Sequence, residues 1–367
     1  MSETLIIGLS SNLGGIEVFI KNYALAISNK ENISFAVWED NICFEQQLKE
    51  QGFKIYKLNY LRNSNPLKHY NEIYKFIKQN PQIDLIHLNL QSASCISFLI
   101  IAKLLGRKVI VHSHSSNLTG GKLTKLLHNI NKYHIRIWAD YFLACSLDAG
   151  KWMFGKKIIK SKKFEILHNG IDVDSFRYNP DIRNAYRQEL NLNDSFVLIN
   201  VGRLCKIKNQ SFLIDIFEQV KLVKPNSKLL IVGEGDDKNM LIDKASKKNL
   251  TNDILFLGAR NDINNLMNTA DVLVMPSLYE GLGIVLIEAQ TSGLLCVSSS
   301  AIPQEAKLTN NYYSISLDNS PESWAKLICD NYKITREDCS QIIKDNGYNL
   351  DGECLLNVFR KVKNKQR

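Results

Sequence analysis

The chain has no apolar run long enough to cross a bilayer. Its most apolar stretch, Cys95 to Leu105, is interrupted by Ser97 and Lys103 and falls well short of the roughly 20 residues a span needs. Met1-Ser2-Glu3-Thr4 carries no basic residue, and the apolar run Leu5 to Leu9 is cut by Ser10, Ser11 and Asn12, so no secretory leader is expected. There is no Cys-x-x-Cys pair. Cys43, Cys95, Cys145, Cys205, Cys296, Cys329, Cys339 and Cys354 lie far apart, mostly in apolar strand-like runs, and read as reduced core residues of a cytosolic protein. The dinucleotide fingerprint is missing too: Gly233-Glu234-Gly235 has Lys238 where the third glycine would stand, which disfavours an NAD-dependent oxidoreductase. With no helix-turn-helix, zinc-finger spacing or aromatic-basic RNA motif, nucleic acid is not an expected partner. Acidic residues are in deficit, 37 against 46 Lys plus Arg. A net charge of +9 suits an anionic ligand, an anionic lipid surface or nucleic acid, or is simply a solvated basic surface; charge alone does not choose.

What is present describes a folded two-domain chain. At 367 residues the sequence exceeds the size at which one core usually keeps growing. Its 45% hydrophobic and 23% charged fractions are those of soluble globular proteins. Short runs rich in β-branched and aromatic residues recur at 5–9, 33–38, 54–58, 85–90, 108–112, 141–145 and 164–167 and read as buried parallel strands. Helical patterns such as 17–28 and 70–78 lie between them, so the first half reads as a doubly wound α/β sheet. After an irregular segment, Asn169 to Asp194, the rhythm restarts at 196–201, 228–232, 254–257, 272–275, 295–298 and 312–317. Two Rossmann-like domains are expected, 1–172 and 173–345, hinged near Gly170 to Asp174, with a C-terminal helix over about 346–367 crossing back onto the first. Open α/β sheets bind ligands beyond the carboxyl ends of their strands, so two such domains are expected to share an interdomain cleft.

Four places at strand ends carry chemistry. The first run ends in Ser10-Ser11-Asn12-Leu13-Gly14-Gly15 before a helix starting near Ile16; adjacent glycines let backbone N–H groups approach an anion, though Gly-Gly is also an ordinary tight turn. Val201-Gly202-Arg203 continues to Lys208-Asn209, placing two cations suited to a diphosphate. Pro276 to Ala289 runs from a buried strand through Glu280-Gly281-Leu282-Gly283 into a helix starting near Ile284. Phosphate oxygens suit that helix N-terminus, while Glu280 and Glu288 suit sugar and ribose hydroxyls. His112 and His114, two apart on a strand, face the same way. No Cys, Asp or Glu completes a zinc set beside them. Asp172-Val173-Asp174 matches a metal-binding D-x-D in form but lacks a third ligand in view.

Taken in order, Gly14-Gly15-Ile16-Glu17, His112-Ser113-His114, Ala144-Cys145-Ser146, Asn169-Gly170-Ile171-Asp172, Gly202-Arg203-Leu204 with Lys208-Asn209, and the pair Glu280 and Glu288 resemble the family 4 retaining glycosyltransferases of GT-B fold, especially capsule and exopolysaccharide enzymes. The resemblance spans nearly the whole chain. It implies transfer of a hexose or N-acetylhexosamine from a UDP-sugar, without metal or other cofactor. Glu280 would contact the donor sugar, Glu288 the ribose, and Arg203 and Lys208 the diphosphate. Gly281 and the backbone of Gly283, Ile284 and Val285 would hold donor oxygens, and Gly14 and Gly15 would close over the phosphate. His114 would sit near the reacting sugar, and the backbone around Ala259 and Arg260 would meet the base. Fixed cations and a helix dipole lower the barrier directly, because breaking a sugar–phosphate bond develops negative charge on the leaving diphosphate. Leu295, where the family commonly has Pro, and Leu282, where an aromatic is frequent, depart from the pattern and weaken inference about sugar preference. A silent GT-B partner subunit and a GT-B epimerase or hydrolase remain as alternatives.

Two basic segments bear on the acceptor. Lys151 to Lys163 carries six lysines around Trp152, Met153, Phe154 and Ile158-Ile159, and the stretch 122–136 sets Leu123, Leu126, Leu127, Ile130 and Ile135 at helical spacing among cations. Either could dock an anionic bilayer, each basic residue contributing about 1 kcal/mol, or be an amphipathic helix on the sheet with solvated lysines. The resemblance makes a lipid-diphosphate-linked glycan at the inner membrane face a plausible acceptor.

Overall fold

Short, continuously apolar runs separated by helical segments form parallel strands because both faces of such a sheet are covered by crossover helices. The computed structural model describes residues 2–12, 14–60, 65–115 and 121–364. Leu13 of the first strand-end turn and residues 365–367 of the expected C-terminal helix lie outside the described residues. The chain divides into two compact units, 1–170 with 350–367, and 171–349. The division falls two residues before the expected 172/173 cut.

The first unit carries β1 (Glu3–Ile7), β2 (Ile33–Val37), β3 (Lys54–Lys57), β4 (Ile83–Leu90), β5 (Lys108–Ser113), β6 (Tyr141–Ala144) and β7 (Phe164–Ile166) in the order β3-β2-β1-β4-β5-β6-β7. The second carries β8 (Phe196–Val201), β9 (Ser227–Val232), β10 (Ile254–Gly258), β11 (Val272–Met275), β12 (Leu295–Ser299) and β13 (Tyr312–Ile315) in the order β10-β9-β8-β11-β12-β13. Every strand pair is parallel. Alternation of side chains splits each sheet between two cores. Leu5 and Ile7 face one cluster and Ile6 the other; Leu198 faces one, Val197 and Ile199 the other. Both sheets are Rossmann-like, the expected fold class.

The helix Glu353–Lys363 belongs to the first unit. Leu355, Leu356, Val358, Phe359 and Val362 form one apolar stripe buried with Phe19, Ile27 and Phe35, against the helix Gly15–Ile27 and β4. On leaving the first unit the chain runs beside its own return: Ile171 N donates to Tyr348 O at 2.8 Å, and Ile171 pairs with Asn349.

Strand order reverses between β1 and β4 in the first unit and between β8 and β11 in the second, which opens a crevice at each carboxyl edge. In the second unit that edge depends on a backbone contact. A Cβ at Gly233 would lie 2.1 Å from the Gly202 carbonyl oxygen, and Gly233 sits at φ +135°. Gly202 N donates to Val232 O and Gly233 N to Gly258 O, so the ends of β8, β9 and β10 are tied together.

The cysteines are the exception to the sequence reading. All eight are free, but only Cys296 and Cys339 are buried and Cys354 is exposed. Most lie at or next to strand or helix ends, and five are of intermediate burial.

Gly233→Ala adds a methyl group where backbone stands, in a conformation L-residues rarely adopt. Scanning calorimetry is expected to show a loss of roughly 3 kcal/mol, a drop of about 6–12 °C in the unfolding of the 171–349 unit; an unchanged midpoint would show that the strand ends can part without cost.

Candidate active site

Arg203 and Lys208 leave the end of β8 and Glu280 leaves the end of β11, the two strands flanking the reversal in the second unit. Three contacts lace the loops together. Asn209, in the left-handed conformation at φ 56°, caps the helix Gln210–Val223, and its Nδ2 donates to Pro276 O at 3.2 Å. Leu278 N donates to Ile207 O at 2.8 Å. Lys208 Nζ donates to Glu280 Oε1 at 2.6 Å, the side chains being 21% and 11% exposed. Beneath them, buried Asn200 donates from Nδ2 to Val274 O and accepts from Gln210, whose Nε2 also donates to Arg203 O. The cation and the carboxylate are therefore held by strand ends as well as by each other. Arg203 is exposed, and its guanidinium makes no hydrogen bond or ion pair among the described residues.

Gly281 is exposed, and Gly283 caps the helix Ile284–Thr291 at φ 77°, a left-handed position that favours glycine. The first amides of that helix, Ile284 and Val285, have no intrahelical acceptor. They and the helix dipole favour an anion at this end. Glu288 lies one turn in, half-buried, with no partner for its carboxylate among the described residues; desolvation pushes that carboxyl up to about 7. Arg260 follows β10, and its guanidinium is engaged by Asp262 at 2.8 and 2.6 Å, which leaves the loop backbone rather than the side chain available there.

The first unit holds the remaining expected residues. Gly14 caps the helix Gly15–Ile27 in extended conformation. Glu17, buried in that helix, accepts from Ser10 Oγ at 2.6 Å and so anchors the loop. A side chain at Gly14 would press on Glu17. His114 follows β5, and its Nε2 lies 2.8 Å from Asn89 Oδ1. Its ring packs on Phe19 and on His112, with centroids 4.8 and 4.0 Å away. His87 stacks on the far side of His112 at 5.5 Å. Burial, with the neighbouring His87, holds the His114 ring neutral with a pKa of about 3. Asp172 accepts from Ser175, and Asp174 pairs with Lys344, so the two carboxylates of the D-x-D form serve separate local contacts.

Sequence reasoning missed Asn89, Asn200, Gln210 and the anchoring roles of Glu17 and Asn209. A signal existed for one of them: Asn200 is a lone amide within an otherwise apolar strand.

The basic segments divide. Met153 and Phe154 are buried and Trp152 stacks on His128, so the apolar residues of the 151–163 segment belong to the core. In the helix Lys122–Trp138 only His128 and Ile135 are buried, while Leu123, Leu126, Ile130, Tyr133 and Ile137 form an exposed stripe. No helix among the described residues is long and apolar enough to cross a membrane.

The raised Glu288 carboxyl has a stability consequence. Its folded value of about 7 lies above the ordinary 4.5, so the folded state holds more protons between the two, and stability falls as pH rises through that window. The melting-temperature advantage of Glu288→Gln over the wild type is expected to grow from pH 5 to pH 8; a constant difference would place the carboxyl in an ordinary aqueous environment.

Comparison with known proteins places the two units separately. Residues 13–175 match the family model Glycosyltransferase Family 4 and residues 182–347 match Glycosyl transferases group 1. The chain is 28% identical over 361 residues to EpsF of Bacillus subtilis (strain 168), which carries the name of a glycosyltransferase, covering 95% of this chain and 94% of that one. It is 29% identical over 309 residues to the UDP-Gal:alpha-D-GlcNAc-diphosphoundecaprenol alpha-1,3-galactosyltransferase of Escherichia coli, covering 79% and 75%. The crystal structure of HepE from Anabaena in complex with UDP superposes with a TM-score of 0.79 at 19% identity, covering 98% of this chain and all of that one, a likeness of fold. With both halves matched in order and the fold shared, the chain belongs to the family 4 (group 1) glycosyltransferases of GT-B architecture.

Proposed function

We propose that the protein transfers a hexose or N-acetylhexosamine, with retention and without a metal, from a UDP-sugar to a lipid-diphosphate-linked glycan in cell-surface polysaccharide synthesis. The carrying observation is the joint placement of Lys208, Glu280 and the free N-terminus of the 284–291 helix at the β8–β11 reversal. As the sugar–phosphate bond breaks, its electron pair goes to the diphosphate, where Arg203, Lys208 and the Ile284 and Val285 amides supply fixed positive charge. Glu280 then accepts from a sugar hydroxyl and Glu288 from the ribose. The 171–349 unit takes the donor and the first unit takes the acceptor, with His114, Gly14 and Gly15 as the first unit's candidate contacts. Support for UDP comes from the HepE complex, and for a lipid-diphosphate acceptor from the name of the Escherichia coli galactosyltransferase.

The helix Lys122–Trp138 supports contact with an anionic bilayer. It contains Lys122, Lys125, Lys132 and Arg136 and no acidic residue, beside its exposed apolar stripe. A helix of this kind lies in the interface with its apolar face among acyl chains and its cations at headgroups.

Nucleotide release from UDP-, GDP- and ADP-sugars, measured in EDTA with and without a membrane lipid extract, is expected for a UDP-sugar only, to require the extract, and to fall about 10²-fold or more in Glu280→Ala. Release without acceptor points to hydrolysis or epimerisation, activity that returns only with added metal removes the metal-free mechanism, and no release under any condition favours a silent subunit. Separately, the protein is expected to cosediment with phosphatidylglycerol vesicles, not with phosphatidylcholine vesicles, and Leu126→Asp with Ile130→Asp should abolish this; wild-type protein that stays in the supernatant with both vesicles refutes the docking helix.

A further inference from the structure

His114 is fixed by a partner whose own orientation is determined. Asn89 lies on β4, where it pairs in register with His112 of β5. Its Nδ2 donates to Ile7 O at 3.1 Å and its Oδ1 faces His114 Nε2 at 2.8 Å. Turning the amide over would set Oδ1 against the Ile7 carbonyl, two acceptors face to face, so the orientation follows from chemistry and not from a choice between similar atoms. Oδ1 cannot donate. The proton in the Asn89–His114 hydrogen bond therefore sits on Nε2, and in a neutral imidazole the other nitrogen is then bare. Nδ1 is buried with no hydrogen-bond partner among the described residues. The backbone admits this arrangement because Gly8 has no side chain: a Cβ there would lie 2.8 Å from Asn89 Cβ.

We propose that Asn89 is a positioning residue that locks His114 as the Nε2–H tautomer and leaves Nδ1 as the ring's acceptor. The tautomer follows from the contacts of Asn89 alone; an effect on turnover rests on the proposed role of His114 in the reaction. A ring with its one proton engaged by Asn89, buried against Phe19 and His112, is not a proton donor to the leaving group.

Two-bond proton–nitrogen correlation spectra of the full chain labelled with 15N-histidine, assigned with His114→Gln, read the tautomer directly. At pH 7 the wild type is expected to show protonated Nε2 and bare Nδ1 for His114, and Asn89→Ala a mixture of both tautomers, with the His87 and His112 signals reporting an intact fold. A protonated Nδ1 in the wild type, or an unchanged tautomer in Asn89→Ala, overturns the proposal; should Asn89→Ala not fold, the wild-type spectrum and Asn89→Ser carry the test. In the nucleotide-release assay, Asn89→Ala and His114→Ala are expected to lower turnover, and the double variant by no more than His114→Ala alone, because Asn89 acts through His114. Losses that multiply overturn that coupling. Full turnover by His114→Ala would instead remove His114 from the reaction, while the tautomer result stands.

Discussion

The carboxyl edge of the second sheet exists because two stretches of backbone meet at Gly202 and Gly233 with no side chain between them. With β8, β9 and β10 joined there, the loop after β8 must leave toward β11. Asn209 and Ile207 then find Pro276 and Leu278, and the ion pair of Lys208 with Glu280 forms as a consequence of that route. A side chain at the glycine contact would displace the scaffold on which both charges stand.

Charge at this edge is arranged by position more than by number. Lys208 is neutralised by Glu280, Arg260 by Asp262, and Arg203 remains toward solvent. In the proposed reaction a diphosphate meets a guanidinium unengaged among the described residues, a lysine already oriented by its carboxylate, and the amides at a helix start. Fixed dipoles and preoriented cations need little reorganisation as charge develops, which is the condition for strong electrostatic catalysis. Neither the desolvated Glu288 carboxyl nor Nδ1 of His114 in the first unit has a hydrogen-bond partner among the described residues.

Much of this was legible in the residues. Periodicity of apolar runs located the parallel strands, with β8 and β11 at the very residues expected, because a strand covered on both faces is mostly apolar along its length. Order of motifs named the family. The edges of strands shifted by one or two residues, as in β1, where Glu3 and Thr4 are buried although polar, because the sheet and not the residue type sets burial there. The 151–163 segment read as basic and apolar, but only packing could tell that Met153 and Phe154 point inward while Leu123, Leu126 and Ile130 of the neighbouring stretch point out.

The sequence by itself determined two Rossmann-like sheets, the strand ends that carry cations and carboxylates, and the family, since each follows from local composition and short spacings. Tertiary structure alone decided which of those charges are engaged, that Asn89 reaches His114 across 25 positions, and that the returning last helix buries its apolar stripe with Phe19, Ile27 and Phe35. These depend on distances between residues far apart in the chain, which no local pattern encodes.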